Sequence, residues 1–234
     1  MTTTNEFGQP VGIPLGTWES PPFPPRNELA GRTVTLIPLD PARDCDALFE
    51  SFSEAPASLW TYMPFGPFDT VGDLETTLAS LVGYEDWLLY AILVDRRAVG
   101  FASYLRIQPS DGVIEIGSIA FSPQLQRTTA ATEAIYLMLR NVFELGYRRC
   151  EWKCDDLNAP SRAAADRLGF TYEGTFRHAT HYKGRNRDTA WYAIVNREWP
   201  ALDAAFQKWL APDNFDEGGG QRQSLQELRD ETHH

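Results

Sequence analysis

The sequence predicts one α+β domain with a mixed, mostly antiparallel twisted sheet of about seven strands flanked by helices. Three observations carry this expectation. Several short runs alternate apolar and polar residues with period two, while longer segments repeat apolar residues at helical spacing. The early strands succeed one another through tight turns, as in a meander, and the later ones alternate with helices. Composition is ordinary for a globular chain of 234 residues, with 43% hydrophobic and 23% charged side chains, enough to bury a core without disulfides or metals.

In chain order, Thr33–Pro38 alternates as a first strand, and Asp40-Pro41 opens a helix through Ala47, Leu48 and Phe52. A second helix is expected over 71–82, with Leu74, Leu78, Leu81 and Val82 on one face. Trp87–Val94 and Ala98–Ile107 flank Asp95-Arg96-Arg97, the pattern of a hairpin. Val113–Phe121 follows the turn Pro109-Ser-Asp-Gly112 as another strand. Ile135, Met138, Leu139, Val142 and Phe143 recur at helical spacing up to Gly146. Then come a strand at 149–155, a helix from Pro160 to Leu168 stopped by Gly169, strands at 170–174 and 189–195, and a helix at 199–210. Residues 1–30 hold 6 of the 16 prolines and read as an extended arm whose Val11, Ile13, Leu15, Trp18 and Phe23 lie against the body. Residues 31–210 form the domain, and 211–234 read as a largely disordered polar tail with at most a short helix near 224–229.

The net charge of −11 argues against a broad nucleic-acid surface. Its distribution is uneven: residues 31–120 carry 5 basic and 13 acidic side chains, whereas residues 121–190 carry 11 basic and 8 acidic. Such a chain can hold a cationic partner on one side and an anionic one on the other. No apolar run is long enough for a membrane span, the first ten residues lack a signal-peptide pattern, and three scattered cysteines make no disulfide framework. A cytoplasmic protein without membrane or nucleic-acid partners is the expectation.

Between the strand ending at Phe121 and the helix that follows lies Ser122-Pro-Gln-Leu-Gln126-Arg127-Thr128-Thr129-Ala130-Ala131-Thr132. Small residues at a helix start leave backbone N–H groups open at the positive end of the dipole, which suits phosphate, and Arg127 adds a charge. The same residues equally suit a plain N-cap. Neither a P-loop nor a dinucleotide-binding glycine pattern is present.

The segment Gln126-Arg-Thr-Thr129-Ala130-Ala131 resembles the acyl-coenzyme A loop Q/R-x-x-G-x-G/A of the GNAT N-acetyltransferases, with Thr129 in place of a glycine. Asn158-Ala-Pro-Ser161-Arg-Ala-Ala-Ala-Asp-Arg-Leu168-Gly169-Phe170 resembles the family segment N-x-x-S-x-x-x-A-x-x-L-G-F. Glu173-Gly174 through Arg177 and Arg187-Asp188 through Tyr192 are similar to the RimJ/RimL-type branch, which includes ribosomal-protein alanine acetyltransferases. The likeness covers residues 31–200.

This resemblance implies acetyl-CoA as cofactor. It places the pantetheine on the backbone of Ile119, Ala120 and Phe121, where the strand splays from its neighbour. It places the pyrophosphate around Gln126, Arg127, Thr128, Thr129, Ala130, Ala131 and Thr132, with Asn158 bonding the pantetheine or holding the strand end. Ser161 is the candidate general acid toward the leaving thiolate, or else a helix cap. Glu115 is the candidate base, alternation putting it on one face with Gly117 and Ile119, or else a solvent-facing strand residue. His178 and His181 lie where relatives shape the acceptor site, and either could take the proton instead. A water chain would need no side-chain base. Trp60 and Tyr62, in the aromatic loop 59–68, are candidate acceptor contacts, or part of a packed loop. No metal set emerges from the histidines or from Cys150 and Cys154. The implied activity is transfer of an acetyl group to a primary amine, a protein N-terminus or a small cationic amine. A larger donor such as succinyl-CoA, a degenerate CoA-binding module, and a homodimer remain alternatives.

Overall fold

Where the apolar period switches between two and 3.6, the chain switches between strand and helix. The computed structural model describes residues 2–232. A small hairpin, β1 (Thr2–Thr4) and β2 (Pro10–Gly12), precedes β3 (Leu29–Ala30) and β4 (Thr35–Pro38). Then follow α1 (Pro41–Phe52), α2 (Val71–Val82), β5 (Leu88–Val94), β6 (Arg97–Gln108) and β7 (Val113–Phe121). The second half runs α3 (Thr129–Glu144), β8 (Arg149–Asp155), α4 (Ala159–Leu168), β9 (Thr171–Tyr182), β10 (Arg185–Val195), α5 (Trp199–Leu210) and α6 (Leu225–Thr232).

The main sheet has eight strands in the order β3-β4-β5-β6-β7-β8-β10-β9, all antiparallel except the pair β7/β8. The strand beyond the expected seven is β3, two residues too short to show a period. Side chains divide by face. Ile114 and Ile116 of β7, Tyr104 of β6 and Cys150 and Trp152 of β8 join α3, α4, α5 and α6 in the larger core. Leu89, Ala91 and Phe101 pack on α1 and α2 in the smaller one. Each fully buried leucine of that second core, such as Leu48, Leu74 and Leu78, contributes about 1.5–3 kcal/mol of burial. Local signals set the helix starts. Asp40 caps α1 ahead of Pro41, and Thr70 and Asp73 close a reciprocal capping box on α2.

Three expectations are corrected. The first concerns the tail, which is packed: Leu225 and Leu228 are buried in the larger core, and the Asn214 amide donates to the carbonyls of Trp209 and Gln223. Two leucines one turn apart suffice to anchor α6, even in a polar segment. The second concerns the arm, which touches the body through few residues. Trp18 Nε1 donates to the Gly146 carbonyl at 3.1 Å and Tyr147 donates to the Pro22 carbonyl, while Val11, Ile13, Leu15 and Phe23 stay exposed. Its first residues pair with themselves as β1–β2. The third concerns β7. Ser118 adopts φ +48°, and between Phe101–Ala120 and Ser103–Gly117 the register slips by one residue. This bulge turns Ile119 onto the α3 face, away from Glu115 and Gly117.

Candidate active site

Only three residue pairs join β7 to β8: Val113–Arg149, Ile114–Cys150 and Glu115–Glu151. Beyond them the strands part. Residues 117–121 of β7 pair with β6 alone, and Lys153–Asp155 of β8 pair with β10 alone. The opening lies at the carboxyl ends of the two parallel strands, and each strand leads directly to a helix N-terminus. The backbone edge of Ile119, Ala120 and Phe121 borders it.

On the α3 side the turn is built in detail. Leu125 is buried as its anchor, and Gln126 Nε2 donates to the Phe121 carbonyl at 2.8 Å, so this side chain clamps the end of β7. Arg127 sits exposed at φ +61°, making no hydrogen bond or ion pair to described residues. Thr128 is the N-cap: its Oγ1 accepts from Ala131 N–H and donates to the Leu125 carbonyl. By helix geometry the N–H groups of Thr129 and Ala130 have no intrahelical acceptor and face outward at the dipole's positive end. Thr132 lies a turn further in, buried, its hydroxyl accepting from Arg167 at 3.1 Å.

Across the opening, Asn158 caps α4 by accepting from Ser161 N–H at 3.2 Å. The Ser161 hydroxyl is a separate matter: its Oγ accepts from Trp152 Nε1 at 3.1 Å, and the hydroxyl hydrogen lies within reach of the Cys154 sulfur. Burial pushes the Cys154 thiol up from its ordinary range, so the cysteine beside it in β8 stays protonated at neutral pH.

Glu115 is 6% exposed and belongs to a charged cluster on the face opposite α3. Its Oε2 lies 2.9 Å from Lys153 Nζ and 3.5 Å from Arg106 Nε. Lys153 Nζ also lies 2.6 Å from Glu151 Oε2, and Arg149 bridges Glu151 and Glu173. Nζ and Glu115 Oε2 are both buried without an aligned hydrogen bond, so charge attraction at contact distance is what joins them. Nζ further rests 3.7 Å from the centre of the Trp191 ring. Burial raises the pKa of Glu115, and Lys153 and Arg106 only partly offset it. For Glu151 burial also acts upward, but the Lys153 ammonium at 2.6 Å and the hydrogen bond from Arg149 outweigh it and the net shift is downward.

The loop between α1 and α2 reaches over to the far rim. Trp60 is buried between Phe52 and Phe68, with ring centres 5.2 and 5.0 Å away, so it packs the loop and presents its carbonyl rather than its ring. Gly66 makes this possible. Its φ is +68°, and a Cβ there would stand 2.6 Å from the Trp60 ring. Lys183, at the β9–β10 turn, donates from Nζ to the carbonyls of Trp60 (2.7 Å) and Phe65 (3.2 Å). Tyr62 donates to the Leu157 carbonyl, and Tyr182 donates to the buried Asp155 carboxylate at 2.8 Å. The loop thus straps the opening.

Of the candidate residues, the fold brings together the β7 edge, the turn 126–131, Ser161, Glu115 and Tyr62 around the parting of β7 and β8. His178 and His181 are exposed on the edge strand β9, on the part of the β9–β10 hairpin that runs past the end of β8 toward Tyr182 and Lys183. Lys153, Tyr182 and Lys183 were not anticipated. The alternation in β8 of Arg149, Glu151, Lys153 and Asp155 with Cys150, Trp152 and Cys154 is the signal that could have found the first.

Comparison with known proteins agrees with this geometry. Residues 33–171 match a family described as "Acetyltransferase (GNAT) domain". A GCN5-related N-acetyltransferase from Brucella melitensis is 44% identical and superposes with a TM-score of 0.89 over 92% of this chain and 100% of its own. A Chromobacterium violaceum chain named among "probable acetyltransferases (GNAT family)" is also 44% identical, with a TM-score of 0.78 over 82% of this chain and 98% of its own. The Bacillus subtilis protein named "Putative ribosomal N-acetyltransferase YdaF" is 28% identical over 149 residues, 63% of this chain and 76% of that one.

Proposed function

This chain belongs to the GNAT acetyltransferase family, and on that premise we propose that it uses acetyl-CoA to acetylate a primary amine, a protein N-terminus or a small cationic amine. The observation that carries the reading is the parting of β7 and β8 between two helix N-termini, with a buried glutamate below and a serine hydroxyl at the rim. The residues present fit an acyl-CoA. The unpaired edge of Ile119–Phe121 offers backbone partners to the pantetheine amides. The open N–H groups of Thr129 and Ala130, with Arg127 beside them, suit the pyrophosphate. Thr129 supplies a hydroxyl where the family loop has glycine, and the capping role of Asn158 holds the α4 side of the opening in place.

Bound there, acetyl-CoA supplies a thioester whose acyl carbon the amine attacks. The chain's own residues handle protons at either side of that carbon. Glu115, whose pKa burial pushes upward, takes the proton of the incoming ammonium directly or through one water. Ser161 gives its hydroxyl proton to the departing sulfur and takes back the second proton, which the nitrogen sheds as the amide forms. The strap, with Tyr62 and Tyr182 at its edge, favours thin acceptors such as an extended N-terminus or a small amine over a side chain on a folded surface. The YdaF likeness supports a ribosomal-protein N-terminus as the first acceptor to try.

The test is calorimetry with acetyl-CoA, followed by release of free CoA thiol over N-terminal peptides, a polyamine and an aminoglycoside. Binding with release on one acceptor is expected. Binding with no release on any acceptor, or release with succinyl-CoA in place of acetyl-CoA, overturns the reading.

A further inference from the structure

The closest approach of each cation to Glu115 is to the same oxygen. Lys153 Nζ and Arg106 Nε both approach Oε2, at 2.9 and 3.5 Å. The other oxygen, Oε1, lies up the strand over Gly117, so close that a Cβ at that position would stand 3.1 Å from it. Gly117 is the residue at which β7 begins to run free of β8. Glu115 is therefore gripped through one oxygen, by Arg106 from β6 and by Lys153 from the stretch of β8 just past the last β7–β8 pair, and its other oxygen is left over Gly117 at the edge of the opening.

Lys153 makes the closer contact and is itself enclosed. Its side chain is 5% exposed, with the ammonium boxed by Glu115, by Glu151 and by the Trp191 ring. Glu151 is fixed in turn by Arg149 through its other oxygen at 2.8 Å. Arg106, half exposed and at 3.5 Å, cannot replace this grip. The charged groups facing Glu115 are thus Arg106 from β6 and Lys153 and Glu151 from β8, with Arg149 behind Glu151 and the uncharged Trp191 ring from β10.

We propose that Lys153 is the positioning residue of the acetyl transfer, pinning Glu115 by Oε2 so that Oε1, over Gly117, receives the proton of the acceptor ammonium. The assignment rests on the reading of Glu115 as the base. A carboxylate with three free rotors would seldom meet the ammonium in a transferable geometry, and a base serves only within hydrogen-bond reach. The grip also sets the charge. Without Lys153 two buried carboxylates would face each other with one close counter-charge fewer, and Glu115, the one already pushed upward by burial, would be pushed further in the same direction.

The experiment compares the pH dependence of kcat/KM for the full chain, K153M, K153R, E115Q and E115Q/K153M. The acceptor is one that the wild type turns over with acetyl-CoA. K153M is expected to move the rising limb upward by about 1–3 pH units, the scale of losing an opposite charge at contact distance. K153R, which keeps the charge, is expected to return it, and K153M is expected to add nothing in the E115Q background. Melting temperature against pH gives a readout independent of turnover. It should fall more steeply with rising pH in K153M than in wild type, and E115Q should remove the difference. Should K153M fail to fold, K153M/E151Q removes one carboxylate together with the cation and carries the same comparison. A limb that stays in place in the Lys153 variants while E115Q abolishes it overturns the positioning role alone. A limb that survives E115Q overturns the base itself, whatever Lys153 does.

Discussion

Ser161→Ala removes one hydroxyl, and the structure separates its consequences. The cap of α4 survives, because Asn158 accepts from the Ser161 backbone N–H and not from the hydroxyl. Trp152 Nε1 loses its acceptor at 3.1 Å, at a site part-open to water, costing about 1 kcal/mol. For a chain of this size that lowers the melting temperature by about 2–4 °C. The catalytic loss should be larger. A hydroxyl that accepts a hydrogen bond is polarised to donate its own proton. Losing proton-transfer assistance to a thiolate lowers kcat about 10²-fold, or about 2.7 kcal/mol of barrier. Thiol release at saturating acetyl-CoA and amine measures kcat, calorimetry measures acetyl-CoA affinity, and a melt measures the structural part. The expected set is a hundredfold fall in kcat, unchanged affinity and a small shift in melting. A kcat within about threefold of wild type would refute the acid role and leave Ser161 as the partner of Trp152. A fall in kcat matched by lost acetyl-CoA affinity would assign it to the architecture of the opening.

Four further outcomes are expected. Arg127→Ala should weaken CoA binding about 5–20-fold, the worth of one charge-assisted hydrogen bond, with kcat at saturation unchanged; unaltered affinity in calorimetry removes Arg127 from the site. Thr129→Gly should keep CoA affinity while costing up to about 1 kcal/mol of helix stability, and a raised dissociation constant would show that the hydroxyl holds a phosphate. Gly66→Ala combines a left-handed backbone with a Cβ 2.6 Å from the Trp60 ring, so it should cost about 2–4 kcal/mol in a melt and raise KM for the amine but not for acetyl-CoA. Glu151, with its pKa lowered in the fold, contributes stability that is fully present above the ordinary glutamate value of about 4.3 and is lost as pH falls through the lowered value. Glu151→Gln should accordingly flatten the acid side of the melting profile, and an unchanged slope there would contradict the cluster.

Legibility in the sequence follows the contrast between buried and exposed faces. The helix expected over 71–82 spans Val71–Val82 because Leu74, Leu78 and Leu81 face one core and a capping box marks its start. The strands at 113–121 and 149–155 were equally plain. The full hairpin of β9 and β10 was not: most of β9 is exposed on both faces at the sheet edge, so residues 175–188 carry no period-two alternation and only the start of the strand at 170–174 was legible. The turn around Arg127 and the Asn158–Ser161 pair were visible as motifs because their spacing is local. The cluster under the opening was not, since it joins Arg106, Glu115, Lys153 and Trp191 from four strands, and only the sheet order makes them neighbours. Trp60 illustrates the opposite error, an aromatic in a suggestive loop whose ring turns out to be core.

The bulge at Ser118 ties the fold to the chemistry. Regular alternation would have kept Glu115, Gly117 and Ile119 on one face and the β7–β8 ladder in register to its end. The extra residue turns Ile119 and Phe121 onto the α3 core and bends β7 away from β8. That leaves the N–H and C=O groups of 117–121 on the β8 side without ladder partners, a state that an isolated domain tolerates only where water reaches them. A molecule whose own amides complete the ladder would bind the folded state alone and add stability as RT ln(1 + [L]/Kd), about 2.7 kcal/mol at a hundred times Kd. The same kink that lowers the sheet's own pairing thus makes room for a third, non-protein strand. Glu115 sits just ahead of the kink, on the last pair of the β7–β8 ladder, with Lys153 on the stretch of β8 just past that pair and its free oxygen over Gly117, where β7 runs on without β8.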